Sequence, residues 1–105
     1  MMIVLFRSRL RPEAGDDYAA MAEEMLARAR TMPGFVDFKS FRAPDGERLS
    51  VIWWEDEVGL RAWATDARHL VAQRLGREKW YASFELEVTQ LLRRASSVPD
   101  ASVRR

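Results

Sequence analysis

The sequence predicts an α+β fold of order β-α-β-β-α-β, a ferredoxin-like antiparallel sheet with both helices on one face. Three observations predict it. Four apolar runs, near residues 2–10, 35–42, 49–54 and 82–89, show the two-residue alternation of strands. Two intervening stretches repeat apolar residues every three or four positions, as amphipathic helices do. Pro and Gly sit at the boundaries: Pro12 and Gly15, Pro33-Gly34, Pro44-Asp45-Gly46 and Gly76. At 105 residues, 48% hydrophobic and 31% charged, the chain suits one globular domain. The expected division is a domain over 1–93 and a mobile tail over 94–105, where Ala, Ser, Pro and Arg replace the apolar pattern.

The first strand carries Met2-Ile3-Val4-Leu5-Phe6, with Arg7 and Arg9 set against Phe6, Ser8 and Leu10. Asp16 or Asp17 is placed to cap the helix that follows. Its stripe is Tyr18, Met21, Ala22, Met25, Ala29 and Met32, and Pro33-Gly34 stops it. The two middle strands form a hairpin around Ala43-Pro44-Asp45-Gly46. Glu55-Asp56-Glu57 then supplies acids for a helix's first turn, where the macrodipole favours them. Leu60, Trp63, Ala64 and Ala67 continue that helix. Asp66 is placed to cap a second short helix with Leu70, Val71 and Leu75, ended by Gly76. Trp80-Tyr81 opens the last strand. Both parities of the strands carry apolar side chains, so the face opposite the helices also needs cover. A second copy of the chain, packed sheet to sheet, is the expected cover, with an interface of roughly 2,000 Å² or more.

Charge and composition exclude several functions. Seventeen basic and sixteen acidic residues are interspersed, with no basic stripe of the kind nucleic acid requires. No apolar run approaches the ~20 residues of a membrane span, and no basic region precedes the first apolar run. The cytoplasm is the expected compartment, without membrane or nucleic-acid partners. Cysteine is absent, which removes disulfides and thiolate chemistry. There is no glycine-rich phosphate loop and no nucleophile elbow, and one His without Cys is poor material for a metal centre.

His69 is the only imidazole, and so the only side chain whose ordinary pKa lies near neutrality. It stands six residues after Trp63. A half-buried helix His without chemical duty is the alternative reading, as core packing is for Trp63. Trp53 and Trp54 are adjacent on one strand and must point to opposite faces.

The run Trp54-Glu55-Asp56-Glu57-Val58-Gly59-Leu60-Arg61-Ala62-Trp63, followed by His69-Leu70-Val71-Ala72-Gln73 and Gly76-Arg77-Glu78-Lys79-Trp80-Tyr81, resembles the antibiotic biosynthesis monooxygenase family. The resemblance covers about residues 2–92. It implies a dimeric α+β barrel with a pocket for a small aromatic ligand between sheet and helices. In the monooxygenase branch it implies O₂ reduction by the deprotonated substrate, with O₂ as co-substrate and no cofactor. The helix Trp matching Trp63 would line the pocket and His69 would be the polar residue beside the substrate, a general base. Trp54, nine residues before Trp63, matches the motif as a pocket residue. Ser8 is placed by the first-strand resemblance, and Phe6 shares its face. In the haem-degrading branch the resemblance implies an Asn where this chain has Ser8, and a His where it has Gln73. Haem is therefore not expected.

The resulting expectation is a cofactor-independent monooxygenase that oxidises a small phenolic or polycyclic aromatic to a quinone. His69 and Trp63 would be catalytic, Trp54, Phe6 and Ser8 would bind substrate, and no metal would be used. A non-catalytic dimeric barrel that binds a small ligand or serves a stress response is the alternative, and haem binding or degradation the third.

Overall fold

The computed structural model describes residues 1–97. Four strands, β1 (Met2–Leu10), β2 (Phe35–Arg42), β3 (Arg48–Trp54) and β4 (Tyr81–Gln90), form one sheet of order β2-β3-β1-β4. Every neighbouring pair is antiparallel. Helix α1 (Asp16–Ala29) joins β1 to β2, and α2 (Glu57–Ala64) and α3 (Ala67–Leu75) lie between β3 and β4. The fold is the predicted ferredoxin-like α+β arrangement.

Directly paired strand residues share a face. The register therefore puts Val4, Phe6, Ile52, Trp54, Phe84, Leu86 and Val88 on the helix side. Ile3, Leu5, Leu49, Val51 and Trp53 take the other side. The core is a cluster of Val4, Ala29, Trp54 and Trp63, backed by Met25, Met32, Phe35 and Leu60. Trp54 is wholly buried, with Phe35 edge-on at 5.7 Å and the Trp63 ring at 6.4 Å. Its truncation to Ala would cost about 3–5 kcal/mol.

The hairpin turn forms as predicted: Gly46 takes φ 93°, and its N–H donates to the Ala43 carbonyl. Gly34 takes φ 86° after α1. Two local expectations are corrected. Gly15 is the N-cap of α1, and Asp16 and Asp17 lie inside its first turn. Asp17 reaches instead to the far end of the chain, accepting from Lys79 Nζ at 2.9 Å and Trp80 Nε1 at 3.1 Å. Gly76 ends α3 as expected, as its C-cap, but with φ −58° and not in a left-handed conformation, and the chain continues into a π-helical turn, Gly76–Trp80. A glycine is needed there because a Cβ would meet the Tyr81 ring at 2.5 Å. Trp80 consequently closes that turn, and β4 begins at Tyr81. Arg11 holds the turn, donating to the carbonyls of Tyr81, Glu78 and Arg77.

Beyond β4, residues 91–97 have no regular structure, and Leu91 N–H donates to the Met1 carbonyl. The rest of the expected mobile tail, from residue 98, lies outside the described residues. Among the described residues no helix is long and apolar enough to cross a membrane.

Candidate functional site

The helices do not pack flush on the sheet. Between them lies a cavity of about 540 Å³, within the usual ~300–1,000 Å³ of small-molecule sites. Its floor is the helix side of the sheet, including Phe6 and Ile52; Met21 and Met25 of α1, Trp63 of α2 and His69 of α3 form its walls. Along β4, Phe84, Leu86 and Val88 line the cavity while staying 45%, 59% and 52% exposed, so the opening runs along that strand.

Two acidic caps position the polar part of this wall. Asp56 precedes α2 and accepts from Gly59 N–H; Asp66 precedes α3 and accepts from His69 N–H at 3.0 Å. Gly59 lets α2 sit close, since a Cβ there would lie 2.6 Å from the Pro33 carbonyl oxygen. Arg28 of α1 then clamps Asp66 with two bonds, at 2.7 and 2.9 Å, and holds its carboxyl down at about 2. Arg68 and Glu24 make a second ion pair between α3 and α1.

The short link between α2 and α3 folds His69 back over Trp63. The two rings stack at 4.0 Å with planes 12° apart. His69 Nδ1 lies 2.9 Å from the Trp63 carbonyl near the end of α2, which also accepts from the Asp66 backbone N–H at 3.2 Å. A carbonyl only accepts, so the Nδ1 in this bond carries the proton. Gln73, one turn further along α3, has its amide 3.3 Å from the same Nδ1. The nearest amide atom is the nitrogen, and since two donors cannot share a bond the amide must turn over to present its oxygen to Nδ1–H. Nε2 is left with its lone pair. Burial lowers the His69 pKa from its ordinary 6.5, outweighing the Trp63 carbonyl and Asp66, which both raise it. The ring is neutral at pH 7.

Trp63, His69, Phe6 and Trp54 all border the cavity. Trp54 stands behind its surface, and its buried Nε1–H has no acceptor among the described residues. Ser8 lies elsewhere: it is 4% exposed and faces a separate pocket of about 110 Å³ with Arg7, Glu47 and Ser83. Tyr18 and Tyr81, 6.0 Å apart, and Trp80 also line the cavity. Burial, with Tyr18 nearby, pushes the Tyr81 phenol up, so it stays protonated. Tyr18 was legible as part of the α1 stripe, and for Trp80-Tyr81 the sequence left interface, pocket rim and plain packing open. Gln73 was not read as a cavity residue, although its four-residue spacing to His69 is a signal that could have found it. No group of three His, Asp or Glu among the described residues could hold a metal ion.

Residues 1–75 match the antibiotic biosynthesis monooxygenase family. An uncharacterized protein of Bacillus subtilis, YqjZ, is 31% identical over 88 residues, 84% of this chain and 76% of that protein. The jasmonate monooxygenase ABM of Pyricularia oryzae is 33% identical over 94 residues, 87% of this chain. The match spans 43% of that longer protein. Among solved structures, SnoaB from Streptomyces nogalater, a cofactor-independent oxygenase, superposes with a TM-score of 0.73 at 16% identity, covering 94% of this chain and 97% of that one. The chain belongs to the antibiotic biosynthesis monooxygenase family.

Proposed function

We propose that the protein is a cofactor-independent monooxygenase that oxidises a small phenolic or polycyclic aromatic substrate to a quinone in this cavity. The observation that carries the reading is the neutral imidazole of His69, held by Nδ1 and bare at Nε2, in a wall otherwise dominated by apolar and aromatic side chains. A relative named as a monooxygenase and a structural neighbour described as a cofactor-independent oxygenase support the class.

For an anthrone-type substrate the chemistry balances with O₂ alone. His69 Nε2 takes one proton from the ring CH₂. The resulting carbanion gives an electron to O₂, and the two radicals join to a C–O–O⁻ group that takes up a proton. Loss of the remaining C–H proton expels hydroxide and leaves C=O. One substrate and one O₂ yield one quinone and one water. Trp63 would hold the flat ring system, and Phe6 and Trp54 would form the apolar floor that keeps water from the carbanion.

The working unit in this reading is a homodimer. On the face away from the helices, Trp53, Ile3, Val51, Leu5 and Leu49 occupy the two central strands. Asp37 and Lys39 on one edge strand, and Glu85 and Glu87 on the other, flank them. An apolar centre with a charged rim is the anatomy of a protein interface, and a second copy presents the matching surface.

The test is oxygen uptake with anthrone as probe, using chelator-treated, flavin-free protein under ¹⁸O₂. The reading expects one O₂ consumed per quinone and one labelled oxygen in the product. Uptake no faster than without protein, or abolished by the chelator, would contradict it.

A further inference from the structure

The cavity wall is apolar except along one line. His69, Gln73 and Arg77 follow one another at four-residue spacing through α3 and into the π-helical turn, and all three line the cavity. That spacing puts them on one helix edge, with about 12 Å between the backbones of the first and last. The other charged residues in the lining are Glu57 and Arg61, which neutralise one another at 3.2 Å. The Arg77 guanidinium has no ion pair among the described residues. Nearby charges do not cancel it: Lys79 is paired with Asp17, and Arg11 adds a cation where it donates to the Arg77 and Glu78 carbonyls. Glu78 is exposed and is not part of the lining. Arg77 is itself exposed, so this unpaired positive charge stands at the solvent end of the cavity and closes a polar rail that begins at the imidazole.

We propose that the cavity takes an elongated apolar acid, its anionic group held by Arg77 and its reactive carbon set against His69. This rests on the oxygenase reading for the role of His69, but the Arg77 end does not. A planar guanidinium suits a carboxylate better than an ammonium does, because it offers two parallel N–H donors. Gln73, between the two ends, offers its amide to a polar substituent in the middle of such a molecule. The aromatic walls, Tyr18, Trp80 and Tyr81 among them, surround the rest. A neutral aromatic of the same shape would fill the apolar part and leave Arg77 without its partner.

The experiment is binding, read by tryptophan quenching and calorimetry at pH 7.5 without turnover. The probes are 2-naphthoate and its uncharged amide. The acid should bind about ten- to a hundredfold more tightly than the amide, as one charge-assisted pair allows. Arg77→Gln should bring the two affinities together, Arg77→Lys should keep part of the difference, and Arg74→Gln, at an exposed arginine of α3 outside the lining, should leave it unchanged. Circular dichroism establishes that each variant is folded. Equal affinities in the wild type, a preference that survives Arg77→Gln, or no binding of either probe would overturn the proposal. Acid selectivity without any oxygen uptake would sink the oxygenase reading and leave this one standing. Oxygen uptake on neutral anthrone without acid selectivity would do the reverse.

Discussion

Trp63 holds His69 twice: its indole stacks on the imidazole at 4.0 Å, and its backbone carbonyl lies 2.9 Å from Nδ1. No substitution at position 63 removes the carbonyl. Trp63→Phe should therefore leave the imidazole tautomer in place and act mainly on binding. A roughly two- to tenfold rise in KM with kcat nearly unchanged is expected, from the smaller ring face. Steady-state kinetics separate the two constants; a large fall in kcat at constant KM would show that the indole itself acts in the transition state.

The tautomer can be read directly, because His69 is the only histidine in the chain. Two-bond ¹⁵N–¹H spectra of the labelled protein should show Nδ1 protonated and Nε2 bare. Gln73→Leu removes one of the two acceptors facing Nδ1 and should raise the share of the other tautomer. Gln73→Glu should keep Nδ1–H and raise the ring's pKa. A wild-type ring protonated at Nε2 would undo the assignment of the base.

His69 also couples stability to pH. Its folded pKa is lowered by burial, so the folded state gives up its proton more readily than the unfolded chain. Its contribution is complete above the ordinary 6.5 and is lost as pH falls from there through the folded value. Urea midpoints should drop between pH 7.5 and 5.5, and the drop should shrink in His69→Gln. Asp66 acts in a lower window: with its carboxyl at about 2 in place of 3.8, its stabilisation is complete above 3.8 and lost on approaching 2. A wild type and a His69→Gln variant with parallel pH profiles would contradict the buried, neutral ring.

Much of the fold was legible because Pro, Gly and acidic caps mark its boundaries and the strands alternate cleanly. Asp66 was readable as a cap because it precedes a helical stretch by the right spacing. The π-helical turn was not, since its cause is distant: the Tyr81 ring leaves no room for a Cβ at Gly76, and Arg11 binds the turn from 66 residues away. Asp17 looked like a cap for the same reason; its partners, Lys79 and Trp80, are brought in only by the closed sheet. At the site, its being the only imidazole and the family resemblance pointed to His69, but not that its ring folds back on Trp63. Ser8 shares its strand face with Phe6, yet the cavity ends before reaching it, at the end of β1 where Arg48 is its partner.

Packing at Gly59 sets the position of α2, and with it Trp63. Gly59→Ala would push a methyl against the Pro33 carbonyl at 2.6 Å, with Trp54 at 3.3 Å behind it. A net loss of about 1–3 kcal/mol in urea unfolding is expected, the clash outweighing the ~1 kcal/mol that Ala gains over Gly in helix propensity. Unchanged stability would mean that α2 can shift freely on the sheet.

The open sheet face predicts a dimer. Light scattering at micromolar concentration should give twice the monomer mass, and Trp53→Glu, at the apolar centre, should shift the protein towards monomer. A stable wild-type monomer would remove the sheet-to-sheet assembly.

The most direct test of the account compares oxygen uptake by the wild type and His69→Ala on an anthrone-type substrate, after circular dichroism has established that both are folded. General base catalysis is worth roughly 10²–10⁴-fold, and the variant's rate should fall by that amount. Its remaining activity should also lack the acid limb expected of the wild type below the ordinary histidine value. A His69→Ala protein with the wild-type rate and the wild-type pH profile would contradict the claim that this imidazole takes the proton.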